Sequence, residues 1–494
     1  MQFTSAPTRP PGQGSPTLSD LGADVVGEES PPTKLPLVVA RDLEERFVRD
    51  GWPSGAVCGR EAVLAAHYGV GRDVMREAVR ILEGRGVARV RRGRRGGVVV
   101  GAPSQNHVAD MVSGFAHLTG VALPEIIEAW VAIHVSAIRH VGARIKDGYR
   151  WVPVAHPGSE SATSDTEVMR RFAAEVIEHS GNRASKHFSD LLMSLLPEVR
   201  AGSGDAGLEL LRSRIIDALN GGRIDDAVSG GRAFFSQAAR AAPVRIDEPE
   251  TGPRRPASDG MQEILTPAFE VVRRFMSAMA PDDWLAGRAL GNEFAIAESL
   301  GVDRSVVRQA IRMMEAAETA VTLPGRGHGL TTRRPSSAPL SRLICVYLAS
   351  RHESIDDVMT AAAGLMTEAS QLAAYKADAH DVAALHRLLD EFHELSGSLA
   401  VSALQPIERL QNRLAGNALL SLFADGANAY VSWIATDEAP LPSSAMELYV
   451  RSTHEILEAI VAGDGHQASR LEALKQDRLL RYRSASRHDG GWDA

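Results

Sequence analysis

One stretch of this chain occurs twice, without a gap. Gly59 to Val100 reads GREAVLAAHYGVGRDVMREAVRILEGRGVARVRRGRRGGVVV, and Gly291 to Thr332 reads GNEFAIAESLGVDRSVVRQAIRMMEAAETAVTLPGRGHGLTT. At one constant offset Gly59, Glu61, Ala65, Gly69, Val70, Arg72, Val74, Arg76, Ala78, Arg80 and Glu83 fall on Gly291, Glu293, Ala297, Gly301, Val302, Arg304, Val306, Arg308, Ala310, Arg312 and Glu315. Gly93, Arg94 and Gly97 likewise fall on Gly325, Arg326 and Gly329. The chain therefore carries the same module twice.

Each copy opens with a short alanine-rich helix, Glu61 to His67 or Glu293 to Leu300, which meets a glycine and a valine before a second amphipathic helix begins. This is the grammar of a helix-turn-helix. The glycine supplies the left-handed backbone of the turn, and the valine packs under the corner. Asp303 is a good N-cap for the second helix of the later copy; Gly71 in the earlier copy caps less well. On that second helix Arg72 and Arg76, like Arg304 and Arg308, lie four residues apart and share one face. Val74, Ala78, Ile81 and Leu82 are expected to face the core. A guanidinium pair at the leading end of such a helix suits the major groove, where it can grip guanine or clamp a phosphate. Downstream, Val87 to Val90 and Val98 to Val100 flank RRGRRGG, predicting a hairpin whose arginine-bearing tip reaches the minor groove or the backbone.

The pattern resembles the winged helix-turn-helix of the GntR family of bacterial regulators, with its E-x-x-L-A-x-x-x-G-V-S-R-x-x-V-R-E-A-L-x-x-L-E run and G-R-G wing. The matching residues are Glu61, Leu64, Ala65, Gly69, Val70, Arg72, Arg76, Glu77, Ala78 and Glu83 in one copy, and Glu293, Ile296, Ala297, Gly301, Val302, Arg304, Arg308, Ala310 and Glu315 in the other. The resemblance implies DNA contacts from Arg72, Asp73, Arg76, Gly93 and Arg94, and from Arg304, Ser305, Arg308, Gly325 and Arg326. Ala62 and Phe294 stand where the family carries an arginine, so that contact is absent from both copies. Asp73 and Ser305 differ between the copies, which implies different base preferences.

Charge agrees with a confined DNA surface. The net charge is -8, yet arginines recur every few residues from Arg72 to Arg95 with few acids between them. Cys58 and Cys345 form no paired motif, which fits a reducing cytoplasm without disulfides or a cysteine metal site. No apolar run has the length of a membrane span, and no basic-then-apolar signal opens the sequence, so a cytoplasmic location without membrane contact is expected.

The length predicts three or four domains. Residues 1–34 read as a disordered arm, 35–103 as the first winged domain, 104–242 as a helical domain, 243–260 as a Pro- and charge-rich linker, 261–335 as the second winged domain, 336–484 as a second helical domain, and 485–494 as a tail. Ile126, Trp130, Ile133, Ala137 and Val141, like Ile355, Val358, Ala362, Leu365, Ala369 and Leu372, mark helices burying one stripe. Both regions then show a Gly-Asn break, at Gly181-Asn182 and Gly416-Asn417, and a last helix pair joined by a glycine turn. This order resembles the FCD effector domain of the FadR-type subfamily. The fold class expected is mainly α: two winged helix-turn-helix domains, each followed by an all-helical FCD-like bundle.

Many FCD domains hold a metal through an Asp and a His four apart plus two later histidines. Anchored on the Gly-Asn breaks, those places fall on Met169, Ala173, Arg212 and Phe234 in the first half, and on Leu404, Glu408, Thr453 and Lys475 in the second. His454 misses by one residue, about 100° around a helix. No metal and no cofactor are expected, and His134 and His140 read as ordinary histidines beside a core Trp130. No G-x-S-x-G, phosphate-cradling loop or H-E-x-x-H supports catalysis.

The resemblance thus implies a non-enzymatic, sequence-specific transcriptional regulator that binds double-stranded operator DNA as an intramolecular pseudo-dimer. It leaves room for a small-molecule effector in the helical domains and for further homodimerisation. The alternative is a structural or adaptor protein whose winged domains bridge DNA without sequence preference or bind other proteins.

Overall fold

The computed structural model describes residues 34–93, 96–152, 165–196, 206–241, 267–323, 329–394, 404–434 and 443–489. The expected arm up to residue 33, the 243–260 linker, and Arg94, Gly325 and Arg326 of the wings lie outside these residues. Within them the protein is mainly helical, with two winged helix-turn-helix heads, each followed by a helical bundle.

The first head comprises α1 (Leu35–Arg49), β1 (Val57–Gly59), α2 (Glu61–His67), α3 (Arg72–Gly84), β2 (Ala88–Arg91) and β3 (Gly97–Val100). The first bundle runs through α4 (Gln105–Leu118), α5 (Leu123–Lys146), α6 (Asp165–Ser180), α7 (Arg183–Met193), α8 (Ala206–Asn220) and α9 (Ile224–Ala241). The second head follows as α10 (Pro267–Ala278), α11 (Pro281–Leu285), β4 (Ala289–Gly291), α12 (Glu293–Leu300), α13 (Arg304–Ala316), β5 (Ala320–Thr322) and β6 (Leu330–Thr332). The second bundle is α14 (Ala338–Ser350), α15 (Ile355–Lys376), α16 (Ala379–Glu394), α17 (Gln405–Arg413), α18 (Ala418–Ile434), α19 (Ser443–Val461) and α20 (Gly465–Asp489).

The repeated residues explain the repeated geometry. Both sheets are antiparallel with the third strand in the middle, β1-β3-β2 and β4-β6-β5. The central strand approaches the first so closely that a side chain would not fit: a Cβ on Gly97 would lie 2.5 Å from the Gly59 carbonyl oxygen, and one on Gly329 would lie 2.3 Å from that of Gly291. Gly69 and Gly301 hold the turn between the two motif helices at φ 62° and 64°, a region costly for residues with a Cβ. Trp52 and Trp284 are buried at matching places. The Trp52 indole donates to the Gly101 carbonyl at 2.8 Å, and that of Trp284 donates to the Thr319 and Arg333 carbonyls at 3.0 and 3.1 Å. Each indole ties the segment before its helix-turn-helix, the turn after α1 in one head and α11 in the other, to the base of the wing.

Three sequence expectations need correction. On α3 the buried face carries Met75, Ala78, Val79, Ile81 and Leu82, whereas Val74 is only half-buried at its edge. α5 does not bury one stripe, because every residue from Ala129 to Ile138 is buried. It is the central helix of its bundle, and its other face is covered by α15 of the second half. The tail expected from residue 485 continues α20 as far as Asp489, since no glycine or proline interrupts the sequence before Gly490. The second half also has two helices without a described counterpart, α11 and α16.

α5 and α15 begin at residues that correspond at the constant sequence offset, and they pack on one another. Their approach is close: a Cβ on Gly364 would fall 1.6 Å from the Ser136 Oγ. The Gly-Asn breaks complete it. Asn182 caps α7 by accepting from the Ser185 N–H at 2.7 Å, while its Nδ2 donates to the Asp357 carbonyl at 2.8 Å. Asn417 accepts from the Leu420 N–H at 3.0 Å, and its Nδ2 donates to the Glu125 carbonyl at 2.9 Å. Buried carboxylates of the second half are paired from the first: Glu368 with Arg139 and Arg232, and Glu353 with Arg183, with the His187 Nε2 also 3.1 Å from Glu353.

Candidate nucleic-acid interface

The leading end of α3 starts at an uncapped Gly71, and that of α13 starts at Asp303, whose carboxylate accepts from the Ser305 N–H at 2.7 Å. From these ends Arg72, Asp73 and Arg76 on one helix, and Arg304, Ser305 and Arg308 on the other, project as exposed side chains. None of Arg72, Arg76, Arg304 and Arg308 is buried. Opposite faces of α3 and α13 bury Ala78 and Ala310, which anchors both helices to their heads.

The two arginine pairs differ in what they hold. Arg304 and Arg308 both grip the Glu293 carboxylate, at 2.9 Å and 3.1 Å. The guanidinium of Arg308, then that of Arg304, hydrogen-bonds this carboxyl and holds it far below the usual range, at about 2. The Arg304 guanidinium also stacks 3.6 Å above the ring of Phe294. In the first head the matching Glu61 lies 3.9 Å from Arg76, which instead pairs with Asp73 at 3.2 Å. Ala62, matching Phe294, offers Arg72 no ring. Phe294 thus holds the Arg304 guanidinium from a second side, opposite a carboxylate that already binds it. Sequence reasoning missed this pairing, although an exposed Phe at that place was a visible signal.

The wings are fixed to these helices by a second repeated acid. Glu83 accepts from the Val90 N–H at 2.9 Å, and Glu315 accepts from the Thr322 N–H at 3.1 Å. Arg89, Arg91 and Arg92 are exposed along the first wing, and Gly93 turns it at φ 108°. The wing tips themselves, Arg94, Gly325 and Arg326, fall outside the described residues.

The trailing ends of the two helices meet. Arg312 of α13 lies 3.7 Å from Glu77 of α3, and Gly84 packs on Met313. Both arginine pairs thus belong to one continuous body made by a single chain.

The places aligned with the FCD metal are filled by other chemistry. In the first half Met169, Ala173 and Phe234 are buried, with Phe234 packed on Phe172 and Phe235, and Arg212 forks onto Glu175 at 2.8 and 3.0 Å. In the second half the Lys475 ammonium is buried, reaching Glu472 and Gln411 at 3.0 Å and Thr453 at 3.5 Å. Glu408 lies in the same cluster, where burial, partly offset by Lys475, raises its carboxyl to about 7. Leu404 is buried core beside them. Lys475 thus stands at one of the places aligned with the FCD histidines, and among the described residues no group of three or more His, Cys, Asp or Glu could hold a metal ion. His454 turns away toward His386 and Asp390. His134 is fully buried between Trp130 and Phe235, and burial lowers its pKa to about 4. Among the described residues no helix is long and apolar enough to cross a membrane.

No family model and no curated protein matches the chain. Among solved structures it is similar to Streptococcus agalactiae GntR, at 16% identity and a TM-score of 0.32, over 43% of this chain and 99% of that one.

Proposed function

We propose that the protein is a sequence-reading regulator of transcription that binds double-stranded DNA with both heads at once. The observation that carries this reading is the pair of exposed guanidinium couples at the leading ends of α3 and α13, presented by two matching scaffolds within one body. Arg72 and Arg76 would read one half-site and Arg304 and Arg308 the other, with Asp73 and Ser305 between them favouring different bases. The wings, including Arg94 and Arg326 at their tips, would add contacts to the minor groove or the phosphates. The chain itself would serve as the dimer, acting in the cytoplasm and without catalysis. An operator of two unlike half-sites is expected.

Selection of genomic DNA fragments by the purified chain tests this reading. A recurrent, asymmetric two-part site whose protection survives raised salt is expected. Fragments recovered without shared sequence, and released together as salt rises, would instead favour a DNA-bridging adaptor.

A further inference from the structure

The contact between the halves has one part that both halves share and one that they do not. Asn182 donates to the Asp357 carbonyl and Asn417 to the Glu125 carbonyl, and Asp357 and Glu125 correspond at the constant sequence offset. This clasp is the same from either side, so by itself it would join any two halves. It also lets the surroundings of Asn182 be compared, place by place, with those of Asn417.

The charges differ in that comparison. The Glu353 side chain, fully buried in the segment before α15, meets Arg183 at 3.0 Å and His187 at 3.1 Å, the first and fifth residues after Asn182. The first and fifth residues after Asn417 are Ala418 and Leu422, and Val121 corresponds to Glu353. Glu368, buried on α15, is paired with Arg139 and Arg232. Its own counterpart is Ser136, that of Arg139 is Gln371, and that of Arg232, counted from the glycine turns at Gly222 and Gly463, is Ala473. In both clusters the carboxylate comes from the second half and its cations from the first.

Two second halves brought together in this geometry would bury Glu353 and Glu368 of both copies against Ala418, Leu422, Gln371 and Ala473, with no cation at any of those places. A buried charge stripped of its partner is strongly destabilising. Two first halves would set Arg183 opposite Val121, and Arg139 and Arg232 opposite Ser136. That bar is weaker, because these side chains reach solvent, with exposures of 64%, 29% and 29%.

We propose that the face of the second half accepts a first half and rejects another second half, with Glu353 and Glu368 as the discriminating residues. The fitting partner is a first half of the same chain or of a second copy. Each chain supplies the two kinds in equal number, so no first half is left over to pair with its like. The inference does not depend on DNA binding; under the proposed function it gives every assembly one head of each kind.

The test uses the full chain with a sequence-specific protease site inserted in the 243–260 segment. The folded chain is cut, unfolded in urea and refolded by dilution, and its pairs are weighed by native mass spectrometry. Mixed pairs are expected, with second-half pairs at least about tenfold rarer than pairing without preference would give. Glu353→Gln with Glu368→Gln should raise second-half pairs to near that unbiased share. Second-half pairs already at the unbiased share without these substitutions, or halves left unpaired, would overturn the proposal; pairs that stay rare in the double variant would overturn the carboxylates as its cause. If the cut chain does not refold, thermal unfolding of the uncut chain decides. Arg139→Gln, Arg183→Gln and Arg232→Gln together should lower its midpoint, and adding Glu353→Gln and Glu368→Gln should recover most of that loss. Losses that add instead would overturn the proposal.

Discussion

Asn182 and Asn417 make the same bond in opposite directions. Each donates from Nδ2 to a backbone carbonyl of the other half, Asp357 at 2.8 Å and Glu125 at 2.9 Å, and those two carbonyls occupy matching places in α15 and α5. Each asparagine also caps the helix that follows it. One residue type at one break thus starts a helix and fastens the halves together. Asn417→Ala should lower stability by about 2–3 kcal/mol in urea unfolding, combining a lost cap with an unsatisfied buried carbonyl. Asn182→Ser can still cap α7 but cannot reach Asp357, so it should cost roughly 1 kcal/mol less than Asn182→Ala.

Under the proposed function, Glu293 would compete with DNA for Arg304 and Arg308. Its carboxyl, held at about 2, stays ionised across the working pH range, and the clamp is lost only as pH falls from the ordinary carboxylate range through that value. Glu293→Gln should therefore raise affinity for DNA several-fold at neutral pH. The matching Glu61→Gln should do less, because Glu61 stands 3.9 Å from Arg76. Fluorescence anisotropy at one fixed salt concentration measures both.

The two heads should read separately. Arg72→Ala is expected to cost about 1–3 kcal/mol on one half-site and Arg304→Ala a similar amount on the other. Footprints on half-sites mutated one at a time would decide this; equal losses on every sequence would argue against base reading.

The buried cluster around Lys475 should make the second bundle sensitive to pH. Glu408 is raised by burial to about 7, above its unfolded value, so the native state holds a proton that the unfolded chain has already released. The stability this gives is complete below the unfolded value and is lost as pH rises through about 7. Glu408→Gln should therefore stabilise the protein by about 2 kcal/mol at pH 8, with the difference shrinking toward pH 5. Thermal unfolding of both proteins across that range is the measurement.

The heads were legible from the sequence because their geometry is local. Gly69 and Gly301, Asp303 as a cap, and the arginine spacing all act within a few residues, and repetition separated them from chance. The Gly-Asn breaks were visible as punctuation, but their bond to the opposite half joins residues far apart in the chain and leaves no periodic trace. Glu293 shows the same limit: its match to Glu61 was plain, and its grip on two arginines required the turn to bring α12 and α13 together. Lys475 was identified only as a departure from an expected histidine. That a lysine would supply the missing positive charge depends on Glu472, Gln411 and Thr453 converging from three helices.

A protein whose second reading head is joined to the first by its own backbone does not lose its partner on dilution. Under the proposed function, occupancy of an operator would rise with the first power of the number of molecules in the cell, where a dissociating pair would show a steeper threshold. The covalent joint also frees the two heads to diverge, since a substitution in one no longer alters both, and unlike half-sites become accessible to a single gene product.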